Sequence, residues 1–408
     1  MEIKVVIGAL FGDEGKGTLV KQLCLNAITE GKKPLVIRYS GGSQAAHTVV
    51  TNEHQHVSSS FGSGVLIGVD TAYVGNSFFD PICADREAYE LTMNDVELPK
   101  IHIFNTNIVT PYDVEANYKD SDADKDGSCK SGLWPSVQRN RTKYAVRSNM
   151  LYKNDGTVDE EQCKTILSEV RDGYYKYNKN DLFEDLFVKG LKRDYLVEHK
   201  DFDEFKSFIL SHDVLIFEST QGLLLDAERG FYPHVTSTNV GIHPLIIGNQ
   251  EYAPCIQTYT DCKDFSEIEF YFIVRTYLTR HGKGYVPANS LKWDMTNKFE
   301  TNQYNENQGY FKTGIHERGL FLQAVDRHQL DNLQVKYNLN YNLAISHMDL
   351  AFENGFVEMD NGSFIEKVVV EDNKPDNVVS MIASAFRNLK FSNYYYSDSP
   401  FGQFKKIN

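Results

Sequence analysis

The first forty residues alternate between apolar runs and a glycine-rich loop in an order that few folds accommodate. Residues 4–9 form a short apolar run typical of a buried strand, and the loop GDEGKG follows at 12–17. Apolar residues then recur at helical spacing over 19–28, Gly31 follows as a helix end, and 34–38 predicts a second strand. This succession of strand, loop, helix and strand predicts an α/β fold on a parallel sheet.

The rest of the chain is consistent with one large domain covering 1–408. Further apolar runs with the length of buried strands lie at 73–74, 101–104, 214–217, 272–274 and 343–345. Charged residues with helical periodicity predict a helical excursion on the surface at about 155–212. We therefore expect a central, mostly parallel sheet with flanking helices and long active-site loops.

Composition limits the classes of function. A net charge of −14 over 408 residues argues against nucleic-acid binding, although a local pocket for one nucleotide remains possible. The apolar runs are too short to cross a membrane, and the start of the sequence lacks the features of a secretory signal. The six cysteines include no CxxC pair, which indicates reduced thiols. We therefore expect a cytoplasmic protein without a membrane partner.

The first loop has the composition of an anion site with an additional acidic function. Main-chain N–H groups and Lys16 are suited to phosphate, but the usual phosphate-loop pattern fails because its first glycine is replaced by Leu10 and its Ser/Thr by Gly17. The acidic pair Asp13-Glu14 would repel phosphate unless a metal or a proton transfer requires it. An ordinary polar turn is the alternative.

Two more polar stretches follow predicted strands. SGGSQAAHT at 40–48 contains His47, which we expect to form an acid/base pair with Asp13, because ligands of parallel sheets bind beyond the strand ends. FESTQGLLLD at 217–226 and YPHVTSTN at 232–239 supply Gln221 and a Ser/Thr cluster that can bind a base or a phosphate. A structural histidine and ordinary turn chemistry are the alternatives.

These stretches together resemble the adenylosuccinate synthetase family, in the family's order and near its spacing. LTRHGKGYVP at 278–287, the loop at 301–314 and ISHMDL at 345–350 extend the resemblance over most of the chain. It implies a fold related to that of phosphate-loop proteins. It also implies a ligase that joins L-aspartate to C6 of a 6-oxopurine nucleotide after a nucleoside triphosphate phosphorylates the purine oxygen. Mg²⁺ and a homodimer are implied too.

The resemblance also implies roles for individual residues. Asp13 matches the base and a magnesium ligand, His47 the acid, Lys16 the lysine of the loop, and the carbonyl of Ala46 a second magnesium ligand. The purine nucleotide site would contain Gln44, Ser128, Cys129, Lys130, Lys143, Gln221 and Thr236, with Lys143 reaching across the dimer interface. The triphosphate site would contain Gly12, Glu14, Gly15, Lys16, Gly17, Thr48, His347, Asp349, Ser399 and Pro400. The aspartate site would contain Thr301, Asn302, Asn305, Gln308, Gly309, Lys312 and Arg280.

Several positions depart from the common pattern. The loop at 127–130 is GSCK where paired threonines are usual, and 301–314 is similar to the archaeal and phage branch, with Lys312 in place of an arginine. Asp349 is present, but the lysine and the glycine of guanine recognition are replaced in SHMD at 346–349 and DSPF at 398–401. These replacements favour ATP or dATP over strict use of GTP.

The departures are similar to those of phage enzymes that act on dGMP and make 2-aminoadenine nucleotides. Many of those enzymes carry serine where this chain has Asp13, but a carboxylate can accept from both N1–H and the 2-amino group of guanine. We therefore predict a (d)GMP–aspartate ligase, which would work in the host cytoplasm if phage-encoded. The alternatives are a conventional synthetase using IMP, L-aspartate and GTP and, less favoured, an inactive homologue that binds nucleotides.

Overall fold

Strands and helices alternate along most of the chain. The computed structural model describes residues 1–122, 127–248, 254–287, 304–371, 374–399, 401 and 403–407, without the side chain of Asn305. The strands are β1 (Glu2–Gly8), β2 (Pro34–Gly41), β3 (His47–Val50), β4 (Gln55–Ser58), β5 (Thr71–Phe79), β6 (Ile101–Ile103), β7 (Asn107–Ile108), β8 (Leu196–Glu198), β9 (Val214–Gly222), β10 (Ile268–Arg275), β11 (Leu278–Arg280), β12 (Tyr304–Asn305), β13 (Gly309–Tyr310), β14 (Lys312–Gly314), β15 (His316–Glu317), β16 (Asn340–Ser346), β17 (Phe356–Asp360), β18 (Ile365–Val369), β19 (Phe391–Ser397) and β20 (Phe404–Ile407). The α-helices are α1 (Lys16–Thr29), α2 (Pro81–Met93), α3 (Pro111–Lys119), α4 (Leu133–Asn140), α5 (Glu160–Ser168), α6 (Asp181–Leu191), α7 (Phe202–Leu210), α8 (His243–Ile246), α9 (Cys255–Tyr259), α10 (Arg318–His328), α11 (Leu330–Tyr337), α12 (Met348–Asn354) and α13 (Asp376–Ala385).

Eleven of the described strands form one sheet, in the order β20-β19-β16-β10-β1-β9-β2-β5-β6-β8 with β7 beside β5. Every pairing within it is parallel except that of β19 with β20. Central strands such as β1, β9 and β10 are largely apolar because a parallel sheet is covered on both faces. This arrangement confirms the predicted fold class, and each apolar run predicted as a strand lies in a strand of this sheet.

The core lies on both faces of the sheet. On one face Ile7, Phe217 and Phe272 belong to a large apolar cluster that continues into the C-terminal helices. On the other face Leu19 and Val20 of α1 pack against neighbouring strands. Because α1 packs directly on the sheet, its first turn is fixed beside the carboxyl end of β1. None of the described helices is both long and apolar enough to cross a membrane.

The segment at 155–212 differs from the predicted surface excursion. It contains α5, α6, α7 and a π-helical turn at Glu169–Tyr175, but also strand β8, which pairs with β6 and extends the sheet. Phe187 is fully buried in a second core cluster, and Phe205 belongs to the main one. Most charged residues of the segment are exposed, although Glu184 is buried, and apolar residues such as Phe187 and Phe205 pack inward. The segment therefore contains helices and also contributes to the sheet and the core.

Candidate active site

The carboxyl ends of β1, β2, β9, β10 and β16 open onto one cavity of about 560 Å³. Ligands of open α/β sheets bind at this edge. The residues with predicted roles that line the cavity are Asp13, Glu14, Gly15, Lys16, Gly17, Gln44, Ala46, His47, Thr48, Ser128, Cys129, Gln221, Thr236, Arg280, Gln308, His347, Asp349 and Ser399. Those among the described residues that lie outside its wall are Gly12, Lys130, Lys143, Gly309 and Lys312. Thr301, Asn302, Pro400 and the side chain of Asn305 are outside the described residues.

The first loop presents the N-terminus of α1 to this cavity. Gly15 precedes the helix with φ of 91°, and no side chain in the described part of the chain caps its N–H groups. Lys16 is buried in the first turn, where burial lowers the pKa of its ammonium, while Glu14 and Asp13 oppose that shift. Uncapped N–H groups beside an ammonium form an arrangement suited to binding an anion.

Gly17 explains why the usual phosphate-loop pattern fails. A Cβ atom at this position would lie 3.0 Å from the carbonyl oxygen of Thr48 and 3.1 Å from Cβ of His47. Helix α1 therefore approaches β3 too closely for the serine or threonine of that pattern. The glycine permits the close contact that places His47 beside the loop.

Glu14 stabilises the loop from within. Its carboxylate accepts hydrogen bonds from the main-chain N–H groups of Leu10, at 2.7 Å, and Gly12, at 3.2 Å. Burial raises the pKa of Glu14 to about 8, although Lys16 opposes the shift. Glu14 lines the cavity, as we expect for a residue of the triphosphate site. Its carboxylate, however, is hydrogen-bonded to main-chain N–H groups of the loop.

His47 lies between two acceptors. Its Nδ1 is 2.7 Å from Oε1 of Glu218, and its Nε2 is 3.2 Å from the carbonyl oxygen of Thr220. Only an imidazole with a proton on each nitrogen donates to both acceptors. Burial alone would raise the pKa of the fully buried Glu218, but His47, Arg38 and Ser63 outweigh it and lower the pKa to about 2. An ionised carboxylate therefore supports the ring of His47.

Asp13 has contacts at both its main chain and its side chain. It adopts the left-handed conformation with φ of 53°, and its carbonyl accepts a hydrogen bond from Nε of Arg275. Its Oδ2 lies 3.2 Å from Nε2 of His281. The cavity therefore contains a partly buried carboxylate beside Lys16.

The oxygen donors of the cavity fit Mg²⁺. The side chain of Asp13 and the residue Ala46, whose carbonyl was the second predicted ligand, both line the wall. Mg²⁺ is usually bound through one or two carboxylates together with substrate phosphates and water. Within the described residues no group of three or more His, Cys, Asp or Glu side chains has the arrangement of a complete metal site. This donor set therefore suits an ion that arrives with a phosphate ligand.

Several polar atoms around the cavity lack protein partners. Oε1 of Gln44 accepts from the N–H of Gly42 at 2.6 Å, which directs its amide nitrogen elsewhere. That nitrogen, Nδ1 of His234 and Nε of Arg280 are buried without a hydrogen-bond partner among the described residues. Buried polar groups are normally satisfied, so these atoms indicate a polar ligand.

The loop at 127–130 is attached to the predicted aspartate segment. Nε2 of Gln308 donates to the carbonyl of Gly127 at 2.6 Å, and Nδ2 of Asn307 donates to that of Cys129 at 3.3 Å. The ammonium of Lys130 donates to the main-chain carbonyl of Asn117 at 3.0 Å. Lys130 therefore supports this loop from behind, and its predicted place in the nucleotide site is not observed.

Cations lie together at the outer end of the cavity. The guanidinium of the buried Arg280 lies 4.3 Å from the ring centroid of Phe11, and burial lowers its pKa to about 10. Strand pairing aligns Arg280 with Lys312. Burial lowers the pKa of Lys312, and Arg280 and Lys283 lower it further. An anionic ligand such as a carboxylate would offset the repulsion that Lys312 receives from Arg280 and Lys283.

A family model described as adenylosuccinate synthetase matches residues 5–335. The chain belongs to the adenylosuccinate synthetase family. The predicted family is thereby confirmed, and members of this family are ligases that form a C–N bond with a nucleoside triphosphate. The site described above thus belongs to a ligase fold.

Adenylosuccinate synthetases from bacteria are similar over most of this chain. The one from Carboxydothermus hydrogenoformans is 29% identical over 329 residues, which cover 76% of this chain and 69% of that protein. The one from Thermodesulfovibrio yellowstonii is 30% identical over 308 residues, covering 71% and 65%. The chain therefore spans about two thirds of the length of these curated relatives.

Two solved structures share the fold. The fully ligated adenylosuccinate synthetase from Plasmodium falciparum has a TM-score of 0.68 at 15% identity and covers 100% of both chains. The succinoaminodeoxyadenylate synthetase of cyanophage S-2L, bound to dGMP and dATP, has a TM-score of 0.59 at 13% identity, over 98% of this chain and 94% of that one. At these identities the likeness establishes the adenylosuccinate synthetase fold.

Three residues that contact the predicted catalytic side chains were not predicted from the sequence. Glu218 supports His47, and Arg275 and His281 contact Asp13. Glu218 ends an apolar strand run, where a lone carboxylate is unusual and is therefore a detectable signal. Arg275 and His281 follow the next strand in the same way, within the VRTYLTRHG stretch.

Proposed function

We propose that this adenylosuccinate synthetase-type ligase couples L-aspartate to C6 of a 6-oxopurine nucleoside monophosphate, with dGMP or GMP as that substrate. The observation that carries the proposal is the meeting of Asp13, Lys16, His47 and Gln221 in one cavity wall. These residues come from the first loop with the start of α1, from β3 and from the end of β9. Together they supply a base, a cation, an acid and a polar contact for the purine.

The reaction has two displacements. Asp13 takes the N1 proton, so that O6 of the purine attacks the terminal phosphorus of the triphosphate and the bond to the leaving diphosphate breaks. The aspartate amine then attacks C6, the C6–O6 bond breaks, inorganic phosphate departs with O6, and the amine loses a proton. The product is N6-succino-2-amino-(deoxy)adenylate when the substrate is (d)GMP.

The charged residues stabilise these displacements. Lys16 and the N-terminus of α1 stabilise negative charge on the transferring phosphoryl group. His47 is the proposed acid that donates to O6: Glu218 orients the ring through Nδ1, and Nε2 would exchange the carbonyl of Thr220 for O6 when the purine binds. When bound to Asp13 and Ala46, Mg²⁺ supplies neutralisation of charge on the phosphate oxygens.

Asp13 supports guanine as the acceptor base. Guanine presents N1–H and a 2-amino group side by side, and a carboxylate has two oxygens that can accept from both. The cyanophage S-2L enzyme that shares the fold is bound to dGMP. A second candidate is the conventional reaction with IMP, which is favoured by the bacterial relatives named adenylosuccinate synthetase.

The surroundings of Asp349 support adenine in the triphosphate. Asp349 lies in the first turn of α12 and lines the cavity, and burial raises the pKa of its carboxyl. The lysine and the glycine that accompany this aspartate in guanine recognition are replaced in SHMD at 346–349 and DSPF at 398–401. These replacements favour ATP or dATP over GTP.

A substrate matrix tests the proposal. IMP, GMP and dGMP are each combined with ATP, dATP and GTP at fixed L-aspartate and Mg²⁺, and phosphate release and succinyl-nucleotide formation are measured. We expect turnover with GMP or dGMP and an adenine triphosphate. Turnover confined to IMP with GTP would establish the conventional enzyme instead. An absence of product in every combination would support an inactive nucleotide-binding homologue.

A further inference from the structure

His281 contacts the proposed base and has no role in the reaction described so far. Its Nε2 lies 3.2 Å from Oδ2 of Asp13, and its side chain is 14% exposed in the cavity wall. An ionised carboxylate can only accept hydrogen bonds. The contact between His281 and Asp13 is therefore stabilising when Nε2 of His281 carries a proton and donates a hydrogen bond to Oδ2. The carboxylate that must meet the purine is therefore directed by a neighbouring ring.

Packing fixes the place of this ring. Both ring nitrogens of His281 are buried and neither has a hydrogen bond of good geometry among the described residues. Catalytic pairs are often misaligned in this way before substrate binds. The ring centroid lies 5.7 Å from that of Phe311, which precedes Lys312 in the predicted aspartate segment. Phe311 therefore limits where His281 can move.

The main chain of Asp13 is fixed separately. Nε of Arg275 donates to the carbonyl of Asp13, and the guanidinium of Arg275 lies 5.9 Å from the ring centroid of Phe311. The left-handed backbone of Asp13 is sparsely populated for a residue with a side chain and depends on such contacts. Arg275 thus contacts the backbone of Asp13, whereas His281 contacts its carboxylate.

We propose that His281 is a positioning residue that orients the carboxylate of Asp13 toward the purine, with Phe311 supporting the ring. The inference rests on the proposed function, since it assigns His281 to the base of that reaction. Because His281 acts through Asp13, its loss should slow the chemical step and leave the affinity for the triphosphate unchanged.

Kinetics of two variants at position 281 test this role. His281→Leu removes the N–H group, and His281→Gln restores a donor near the position of Nε2. We expect His281→Leu to lower kcat by about 10- to 100-fold, as a misplaced catalytic group does, with KM for the triphosphate within about twofold of wild type. His281→Gln should recover kcat to within about threefold of wild type. His54→Gln is the matched control, because His54 lies 4.0 Å from Glu53 and outside the cavity wall.

The same measurements contain the outcomes that overturn the proposal. A wild-type kcat in His281→Leu shows that the contact has no catalytic consequence. Equal losses in the Leu and Gln variants indicate packing alone, and a rise in KM without a fall in kcat indicates a substrate contact. Phe311→Leu keeps an apolar side chain beside His281. It should therefore lower kcat by less than His281→Leu does.

Crystal structures of the wild type and of His281→Leu give a readout that requires no turnover. We expect the carboxylate of Asp13 to keep its place in the wild type and to move by about 1 Å in the variant, enough to lose catalytic alignment. An unmoved carboxylate overturns the positioning role. Failure of the wild type in the substrate matrix would instead contradict the proposed function, so the two failures are distinguishable.

Discussion

Glu218 is a fully buried carboxyl whose contribution to stability depends on pH. Its pKa is lowered from 4.5 to about 2, because His47, Arg38 and Ser63 outweigh the effect of burial. A carboxyl with a depressed folded-state pKa stabilises the protein above its unfolded pKa, and this stability is lost as pH falls through the folded pKa. As the pH is lowered from about 5 to about 2, Glu218 becomes protonated. We expect the free energy of unfolding to fall by about 3 kcal/mol as a result.

Urea unfolding of the wild type and of Glu218→Gln at a series of pH values measures this contribution. The variant should show a shallower loss of stability in acid, since its side chain does not ionise. Glu97→Gln, at an exposed position, is the control and should keep the wild-type slope. Parallel slopes for all three proteins would contradict the prediction.

Gly17 is a residue whose missing side chain determines the position of its neighbours. Gly17→Ala would bring a Cβ to 3.0 Å from the main-chain oxygen of Thr48, which cannot rotate away. We expect a loss of about 1 to 3 kcal/mol in unfolding free energy, together with lower activity because His47 is displaced. Gly319→Ala is the control, since a Cβ there meets nothing within 4 Å in the first turn of α10. Equal stability of the two variants would show that α1 and β3 can separate at no cost.

At the scale of elements, the sequence predicted seven of the eleven described strands of the sheet and the loops that follow them, but not β7, β19 or β20. Runs such as 214–217 are recognisable because strands buried on both faces must be continuously apolar. Strand β8 was not predicted, since only three residues contribute to it within a charged segment. The order of parallel strands then brings the carboxyl-end loops together, which is why Asp13 and His47 share a cavity.

The contacts between loops were beyond sequence reasoning. His47 and Glu218 are 171 residues apart, and Asp13 and Arg275 are 262 apart, so no local pattern relates them. Lys130 shows what a motif match leaves undetermined. Its backbone turns with φ of 62°, and its ammonium is directed to a main-chain carbonyl behind the loop. Matching a residue to a motif gives its place in the chain, whereas its side-chain direction depends on the local backbone.

The link between the hairpin of β12 and β13 and the loop at 127–130 leads to a prediction about substrate affinity. Gln308→Ala removes the 2.6 Å hydrogen bond to the carbonyl of Gly127. Losing a neutral hydrogen bond of about 1 kcal/mol should raise KM for the monophosphate about fivefold, with a smaller change in kcat. Gln334→Ala is a matched control, because Gln334 donates to the carbonyl of Lys390 at the same 2.6 Å outside the cavity wall. A similar KM in both variants would exclude the link.

At the scale of the whole molecule, a net charge of −14 coexists with a cavity that collects cations. Lys16, Arg275, Arg280 and Lys283 reach its wall from different loops. Their charges serve small anionic ligands inside one cavity, while the acidic excess elsewhere opposes long polyanions. Lys143 does not join this set within one subunit: it is exposed, and its ammonium lies 5.1 Å from the ring centroid of Tyr144.

A homodimer in which Lys143 completes the site of the other subunit predicts complementation between two inactive variants. In a heterodimer of Asp13→Asn and Lys143→Ala, one site carries both defects, and the other combines an intact Asp13 with an intact Lys143. Random reassociation of equal amounts should therefore restore about a quarter of the wild-type activity. The assay compares the mixture with each variant alone after dissociation and reassociation. A mixture of Asp13→Asn with His47→Ala is the control, because both residues line the same cavity of one chain and their heterodimer has no intact site. Activity in the first mixture no higher than in the control would place Lys143 outside the partner's site.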